Sequence, residues 1–191
     1  MNNQLLIADR ECGECTVCCV ELTIEDQELV KLPGIKCKNL LKKGGCSIYQ
    51  NRPNTCKSWY CMWRFLPLLD DQWRPDLKGI LISRVFDNIP EKYSDKIALE
   101  FSIIGKRSVI SDIQFIEVLC GYIVSGFPCF ISYGTAGKSS RKQMLNDLLL
   151  PAIENRDFEL IKKKISQAFM NCVKHPKNKM KIKNGKIVII S

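Results

Sequence analysis

The chain has 191 residues, 46% of them hydrophobic and 26% charged, with a net charge of +9. That much apolar material builds a packed core, so the eleven cysteines are not replacing a missing one as they do in tiny secreted scaffolds. An odd cysteine count excludes complete disulfide pairing, and no stretch reads as a membrane span, the most apolar one being interrupted by Glu117, Gly121, Gly126 and Pro128.

Residues 1–9 lack the basic segment and long apolar run of a signal peptide, which makes a cytoplasmic, reducing location the expectation. In that setting clustered cysteines serve as metal ligands or redox thiols more often than as disulfides. A short apolar lead-in over 4–11 is followed by Cys12-Gly13-Glu14-Cys15-Thr16-Val17-Cys18-Cys19, read as a loop whose form a metal dictates. Thr23-Ile24-Glu25-Asp26 reads as a helix start, with Thr23 as cap, and Pro33-Gly34 as its end. Cys37, Leu40 and Leu41 precede a Gly44-Gly45 turn, and Cys46 follows at once; a glycine pair beside a cysteine permits close backbone approach. Ser47–Asn51 is a short turn or helix. Pro53 opens a further helix to Pro67, with Cys56, Tyr60 and Trp63 on one face and Cys61 pointing elsewhere.

Residues 68–76 read as a connector, after which cysteine becomes sparse and strand patterns begin. Ile80–Phe86 and Ile97–Ile103 are expected as neighbouring strands, Ser111–Val124 as a helix and Cys129–Tyr133 as a short strand. Two helices, Lys138–Leu150 and Arg156–Cys172, are expected to part near Pro151, and Met180–Ile189 to form a hairpin about Asn184-Gly185. The fold class is therefore α+β: a loop-rich cysteine module over 1–75 packed on a small mixed α/β domain over 76–191.

Eight cysteines fall before residue 62: Cys12, Cys15, Cys18, Cys19, Cys37, Cys46, Cys56 and Cys61. A thiolate is a soft anionic ligand, and a cluster of them selects zinc, iron–sulfur or copper(I). Cys-x-x-Cys brings two thiolates to one metal from a single turn. The third cysteine at that interval is similar to a bacterial ferredoxin run, but Cys19 is adjacent to Cys18 rather than four residues on. Adjacent side chains diverge, so either the two serve different centres or one lies outside the ligands. The radical S-adenosylmethionine spacing is absent, because Leu22 stands where its last cysteine belongs. The only histidine is His175, which leaves all-thiolate sites. Gaps of two residues suit a four-iron cubane, whereas gaps such as Cys37 to Cys46 are loose for a zinc ribbon; both metals stay open. Trp59, Tyr60, Trp63 and Trp73 read first as core packing and second as shielding for a cluster.

These residues carry a resemblance. Cys12 to Cys19, then Cys37-Lys38-Asn39-Leu40, Gly44-Gly45-Cys46-Ser47-Ile48-Tyr49, Arg52-Pro53-Asn54-Thr55-Cys56 and Cys61, resemble the CxxCxxCC cysteine-cluster family of zinc- or iron-chelating proteins. The likeness covers residues 12–64 and implies metal binding through all eight cysteines. One branch of that family includes flagellin lysine methylase, so the alternative implied is an iron–sulfur-dependent protein lysine N-methyltransferase using S-adenosylmethionine. A redox or protein partner fits either reading.

Other features read as structure. Lys162-Lys163-Lys164 and the lysines of 174–186 lack the aromatic interleaving of a nucleic-acid site, so a solvated face and a charged hairpin are expected, with no nucleic-acid partner. Gly134–Ser140 sits in P-loop context, but Ser132 occupies the position of the first required glycine. Cys120, Cys129 and Cys172 read as core thiols and His175 as a helix-end residue.

Overall fold

A computed structural model describes residues 6–134, 141–175 and 179–190. In chain order the elements are helix α1 (Val17–Glu21), strands β1 (Ile24–Glu25) and β2 (Val30–Lys31), helices α2 (Asn54–Ser58) and α3 (Pro75–Lys78), strands β3 (Ile80–Val85) and β4 (Ala98–Ile103), helix α4 (Ile113–Val124), strands β5 (Cys129–Tyr133) and β6 (Lys142–Met144), helices α5 (Asn146–Glu154) and α6 (Phe158–Lys174), and strands β7 (Lys179–Lys183) and β8 (Lys186–Ile190). The fold is α+β. No helix among the described residues is long and apolar enough to cross a membrane.

The chain divides into two compact units, the first running to Ile80 and including the β7–β8 hairpin, the second taking up from Leu81. The sequence reading drew the boundary at 75 and kept the hairpin with the later part. Two contacts explain the hairpin's membership: the Ile187 amide donates to the Glu25 carboxylate at 3.1 Å, and Ile182 lines a groove with Leu29, Leu32 and Ile35.

The first unit is held by turns and a few deep anchors. Arg10 is buried, and its guanidinium donates to the carbonyls of Trp63, Leu66 and Leu69, tying the lead-in to the segment after the last clustered cysteine. Ile7 adds a backbone bond to the Arg64 carbonyl at 2.9 Å. Trp63 and Trp73 are buried, and the Trp63 indole donates to the Asp70 carbonyl at 2.9 Å. The core-packing expectation therefore holds for these two.

Several expected elements differ. The cysteine run is not all loop, because α1 begins at Val17 and carries Cys18 and Cys19. No helix starts at Thr23. Ile24–Glu25 instead pairs antiparallel with Val30–Lys31, closed by the Asp26–Leu29 backbone bonds and by the Glu28 amide on the Asp26 carboxylate. Of the two acids expected in a helix first turn, Glu25 lies on the strand and Asp26 opens the turn, and alternation decides the rest: Ile24 is buried and Glu25 exposed. The helix after Pro53 stops at Ser58, Trp59 is extended, and a separate 3₁₀ turn spans Met62–Arg64. Cys56, Tyr60 and Trp63 therefore share no helix face.

The second unit contains the four-stranded sheet, order β3-β4-β5-β6, with β4 and β5 parallel and β5 and β6 antiparallel. A parallel pair needs a crossover, and α4 lies between β4 and β5 in the chain, capped by the Asp112 carboxylate on the Gln114 amide at 2.9 Å. On β4, Leu99, Phe101 and Ile103 are fully buried while Glu100 and Ser102 alternate with them. Phe101 meets Phe115 edge-on at 6.0 Å, and Phe169 of α6 meets Tyr133 at 5.6 Å. Ile161, Ile165, Ala168, Phe169 and Cys172 form the buried stripe of α6, and Lys163 on the opposite face is exposed.

Two sequence expectations are corrected here. Lys142–Met144 is a strand, and α5 begins only at Asn146, whose buried side chain accepts from the Cys129 amide and donates to the Phe127 carbonyl, both at 2.8 Å. α5 also runs through Pro151; the chain breaks later, where Arg156 takes φ 53° before Asp157 caps α6. The P-loop-like segment after Gly134 lies outside the described residues.

Candidate metal centre

All eight cysteines of the N-terminal run and its sequel lie in the first unit, whereas Cys120, Cys129 and Cys172 lie in the second. No disulfide joins any of the eleven, all of which are described. In the second unit, Cys129 and Cys172 are buried and Cys120 is half-buried; burial pushes the Cys120 thiol up to about 11, as expected for a core thiol. His175 follows α6 as its capping residue.

The eight thiols gather in two adjoining groups. In one, a turn closes on the bond from the Cys15 amide to the Cys12 carbonyl at 2.9 Å. Arg64, whose amide donates to the Cys61 carbonyl at 3.1 Å, reaches the Cys12 sulfur with its guanidinium at 3.9 Å. Cys61 is close enough to Cys12 and Cys15 to feel their charge; burial first, then those neighbours, pushes its thiol up to about 12. Burial also raises Cys15, to about 11, beside Asp76.

In the other group, Cys37 is buried with Ile24 and Leu29, and Cys19, Leu40 and Cys56 pack against them. The Cys37 amide donates to the Cys19 carbonyl at 2.9 Å, and Leu40 bridges to Cys46. The Asn39 amide points at the Cys37 sulfur at 3.5 Å. Cys56 is raised by burial and then by the proximity of Cys19, Cys37 and Cys46.

Cys18 and Cys19 join the two groups. Successive residues of a helix are turned about 100° apart, yet in α1 the two side chains meet. Their sulfurs still interact: the hydrogen bond between them is the main cause that raises Cys18 and lowers Cys19. Cys18 also feels Cys12 and Cys15, while Cys19 feels the charges of Lys31 and Arg52.

Glycine sets how closely these segments approach. Gly44 has φ 92°, and a Cβ there would stand 2.7 Å from the Glu14 carbonyl oxygen. The Gly44-Gly45 turn thus lies against the backbone of the cysteine run itself.

Three cations surround the thiols. Lys31 is only 4% exposed and donates to the carbonyls of Val20 and Leu32 at 2.9 and 3.0 Å. Arg52 stacks on Tyr49 at 4.1 Å, and Arg64 is 8% exposed and lies over Tyr60 at 5.4 Å. The Nε atoms of Arg52 and Arg64 are buried without a hydrogen-bond partner. Among the described residues none of the three is ion-paired with a carboxylate. Burying a cation is costly unless a negative charge answers it, and the nearby groups able to become negative are the thiols and, by Lys31, also Glu21. Sequence reading passed over Lys31 and Arg64, and took Arg52 only as part of a motif. The available signal was basic residues placed close to cysteines.

Among the described residues, no group of three or more His, Cys, Asp or Glu side chains is already set to hold a metal ion. The donor chemistry nonetheless fits a soft metal, since the converging groups are thiols apart from the Asp76 carboxylate beside Cys15. The second unit offers a different polar cluster: Ser132 donates to Glu100 at 2.5 Å and contacts Ser102 at 2.9 Å. Ser132 is fully buried, so this is a satisfied contact between neighbouring strands rather than an exposed nucleophile. The groove at Leu29, Lys31, Ile35 and Ile182 has a volume of ≈ 200 Å³. That is below the ~300–1,000 Å³ usual for small-molecule sites.

Comparison with family models, with curated proteins and with solved structures finds no match.

Proposed function

We propose that this chain is a metal protein, holding zinc or an iron–sulfur cluster through Cys12, Cys15, Cys18, Cys19, Cys37, Cys46, Cys56 and Cys61. The observation that carries the reading is a set of cations without a carboxylate ion pair, the buried Lys31 and Arg64 and the half-buried Arg52, lying by the thiols. Neutral thiols would leave Arg52 and Arg64 unanswered and Lys31 answered only by Glu21. Metal-bound thiolates would answer them, because four thiolates around a divalent zinc, or around a doubly charged four-iron cubane, carry a net negative charge.

The resemblance of residues 12–64 to the CxxCxxCC cysteine-cluster family supports the same conclusion. In this reading the protein works in the cytoplasm, where reduced thiols persist, and meets a redox or protein partner there. When bound, zinc would fix the first unit's loops, and a cluster would in addition carry an electron. The chain's own contribution is to bring the thiols together and to supply the countercharge.

The test is anaerobic purification with iron, sulfide and zinc counted beside an absorption spectrum. Broad visible charge-transfer bands with sulfide identify a cluster, and a colourless metal-loaded protein identifies zinc. Less than about a tenth of an equivalent of any metal overturns the reading.

A further inference from the structure

We propose that the eight thiols form two separate tetrathiolate centres that divide at the Cys18–Cys19 peptide bond, one built from Cys12, Cys15, Cys18 and Cys61 and the other from Cys19, Cys37, Cys46 and Cys56. The inference rests on the metal-binding reading above and assigns its ligands.

Backbone geometry makes the division. The Cys12–Cys15 turn is tied to the segment after Cys61 by the Arg64 side chain on the Cys12 sulfur, and Arg64 itself hangs from the Cys61 carbonyl. The Cys19 carbonyl instead receives the Cys37 amide, and the Cys37, Cys19 and Cys56 side chains share one apolar cluster with Leu40, which bridges to Cys46. α1 supplies one cysteine to each side: the two sulfurs are hydrogen-bonded to each other, but Cys18 has Cys12 and Cys15 as its other thiol neighbours, whereas Cys19 packs with Cys37 and Cys56. Tetrahedral zinc and a four-iron cubane each require four thiolates, and the division yields two sets of four with none left over.

The cations serve both sets: Arg52 acts on Cys12 as well as Cys19, Lys31 acts on Cys18 as well as Cys19 and Cys37, and Arg64 meets the Cys12 sulfur. Asp76 beside Cys15 is held by Arg74 in a two-bond ion pair at 2.7 and 2.9 Å, which limits its repulsion of the first set. The adjacent cysteines that fit neither a ferredoxin nor a radical-enzyme spacing are thus the point where one turn of helix serves two centres.

The experiment compares the anaerobically isolated full chain with Cys61→Ser and Cys56→Ser, counting zinc, iron and sulfide per chain. Each variant is expected to lose half of the wild-type metal, and the double variant all of it. If either single variant loses all of the metal or none of it, or the double variant keeps half, the division is overturned.

Wild-type protein is also alkylated with N-ethylmaleimide during stepwise removal of its metal by chelator, and the sites are read by tandem mass spectrometry. This arm needs no variant to fold. Labelling in two sets of four, with Cys18 in one and Cys19 in the other, supports the proposal. Cys18 and Cys19 appearing in one set, or all eight appearing together, overturns it while leaving metal binding intact. Wild-type protein without metal overturns both.

Discussion

In the second unit, side chains of a sheet and helices define one another. Leu99, Phe101 and Ile103 alternate down a strand, and Phe115, Ile116 and Leu119 recur at helical spacing. Among the described residues of the first unit no helix or strand of its own exceeds five residues, and the longest strands are those of the terminal hairpin. Such short helices and ribbons are marginal alone, so their order has to come from cross-ties. Arg10 on three carbonyls is one, and the thiol groups with their buried cations are the other. The contrast teaches that cysteine has opposite uses here: in the second unit Cys129 and Cys172 fill space in the core, and in the first the cysteines converge because something must hold the loops.

Substitutions in each unit sharpen that contrast. The largest effect is expected from Phe101→Ala, which empties the centre of the second core and should cost about 3–5 kcal/mol in urea unfolding. Its metal content per folded chain should equal that of the wild type; a fall would break the separation of roles. Arg10→Ala follows, at about 3 kcal/mol, because three buried carbonyls lose a charged donor. Here the metal should also be lost more readily to chelator.

Gly44→Ala comes next, at about 2 kcal/mol from the left-handed backbone alone. Its Cβ would meet the Glu14 carbonyl at 2.7 Å, so the turn must move away from the cysteine run and loosen the thiol groups. Unchanged metal retention in Gly44→Ala would detach the turn from the centre. Smallest is Asp87→Asn in the second unit. The exposed Lys142–Asp87 pair, at 2.6 Å, holds the Asp87 carboxyl below its ordinary range. A lowered pKa gives stability that is present above the unfolded value of about 3.9 and lost as pH falls through the folded one. The effect should be at most about 0.5 kcal/mol at neutral pH and should vanish in high salt.

Sequence pattern was informative in proportion to element length. α4, α6, β4 and β5 were legible because apolar periodicity runs over many residues, although in α4 Ile113 is exposed and Phe115 and Tyr122 complete the buried face. The Asn184-Gly185 hairpin was legible from its turn alone, both residues having positive φ. The first unit was misread wherever a local cue competed with tertiary contacts. Thr23–Asp26 has a helix-start composition, yet the Asp26 carboxylate is taken by the Glu28 amide and by Thr55, and a ribbon results. The helix after Pro53 was extended too far because Tyr60 and Trp63 fit its period, although Arg10 fixes the Trp63 carbonyl in a different turn. The eight cysteines were evident from spacing; their countercharges were not, since Lys31, Arg52 and Arg64 come from three separate segments that only the fold brings to the thiols.

Hydrogen exchange on the anaerobic full chain, with and without metal removal by chelator, tests the central claim most directly. The account expects the Cys15 and Cys37 amides, which close the two thiol groups, to exchange about a hundredfold faster or more once the metal is gone, while the Leu99 and Leu145 amides of the sheet unit keep their protection. Equal protection of the Cys15 and Cys37 amides before and after metal removal, or loss of protection at Leu99 and Leu145 to the same extent, would contradict it.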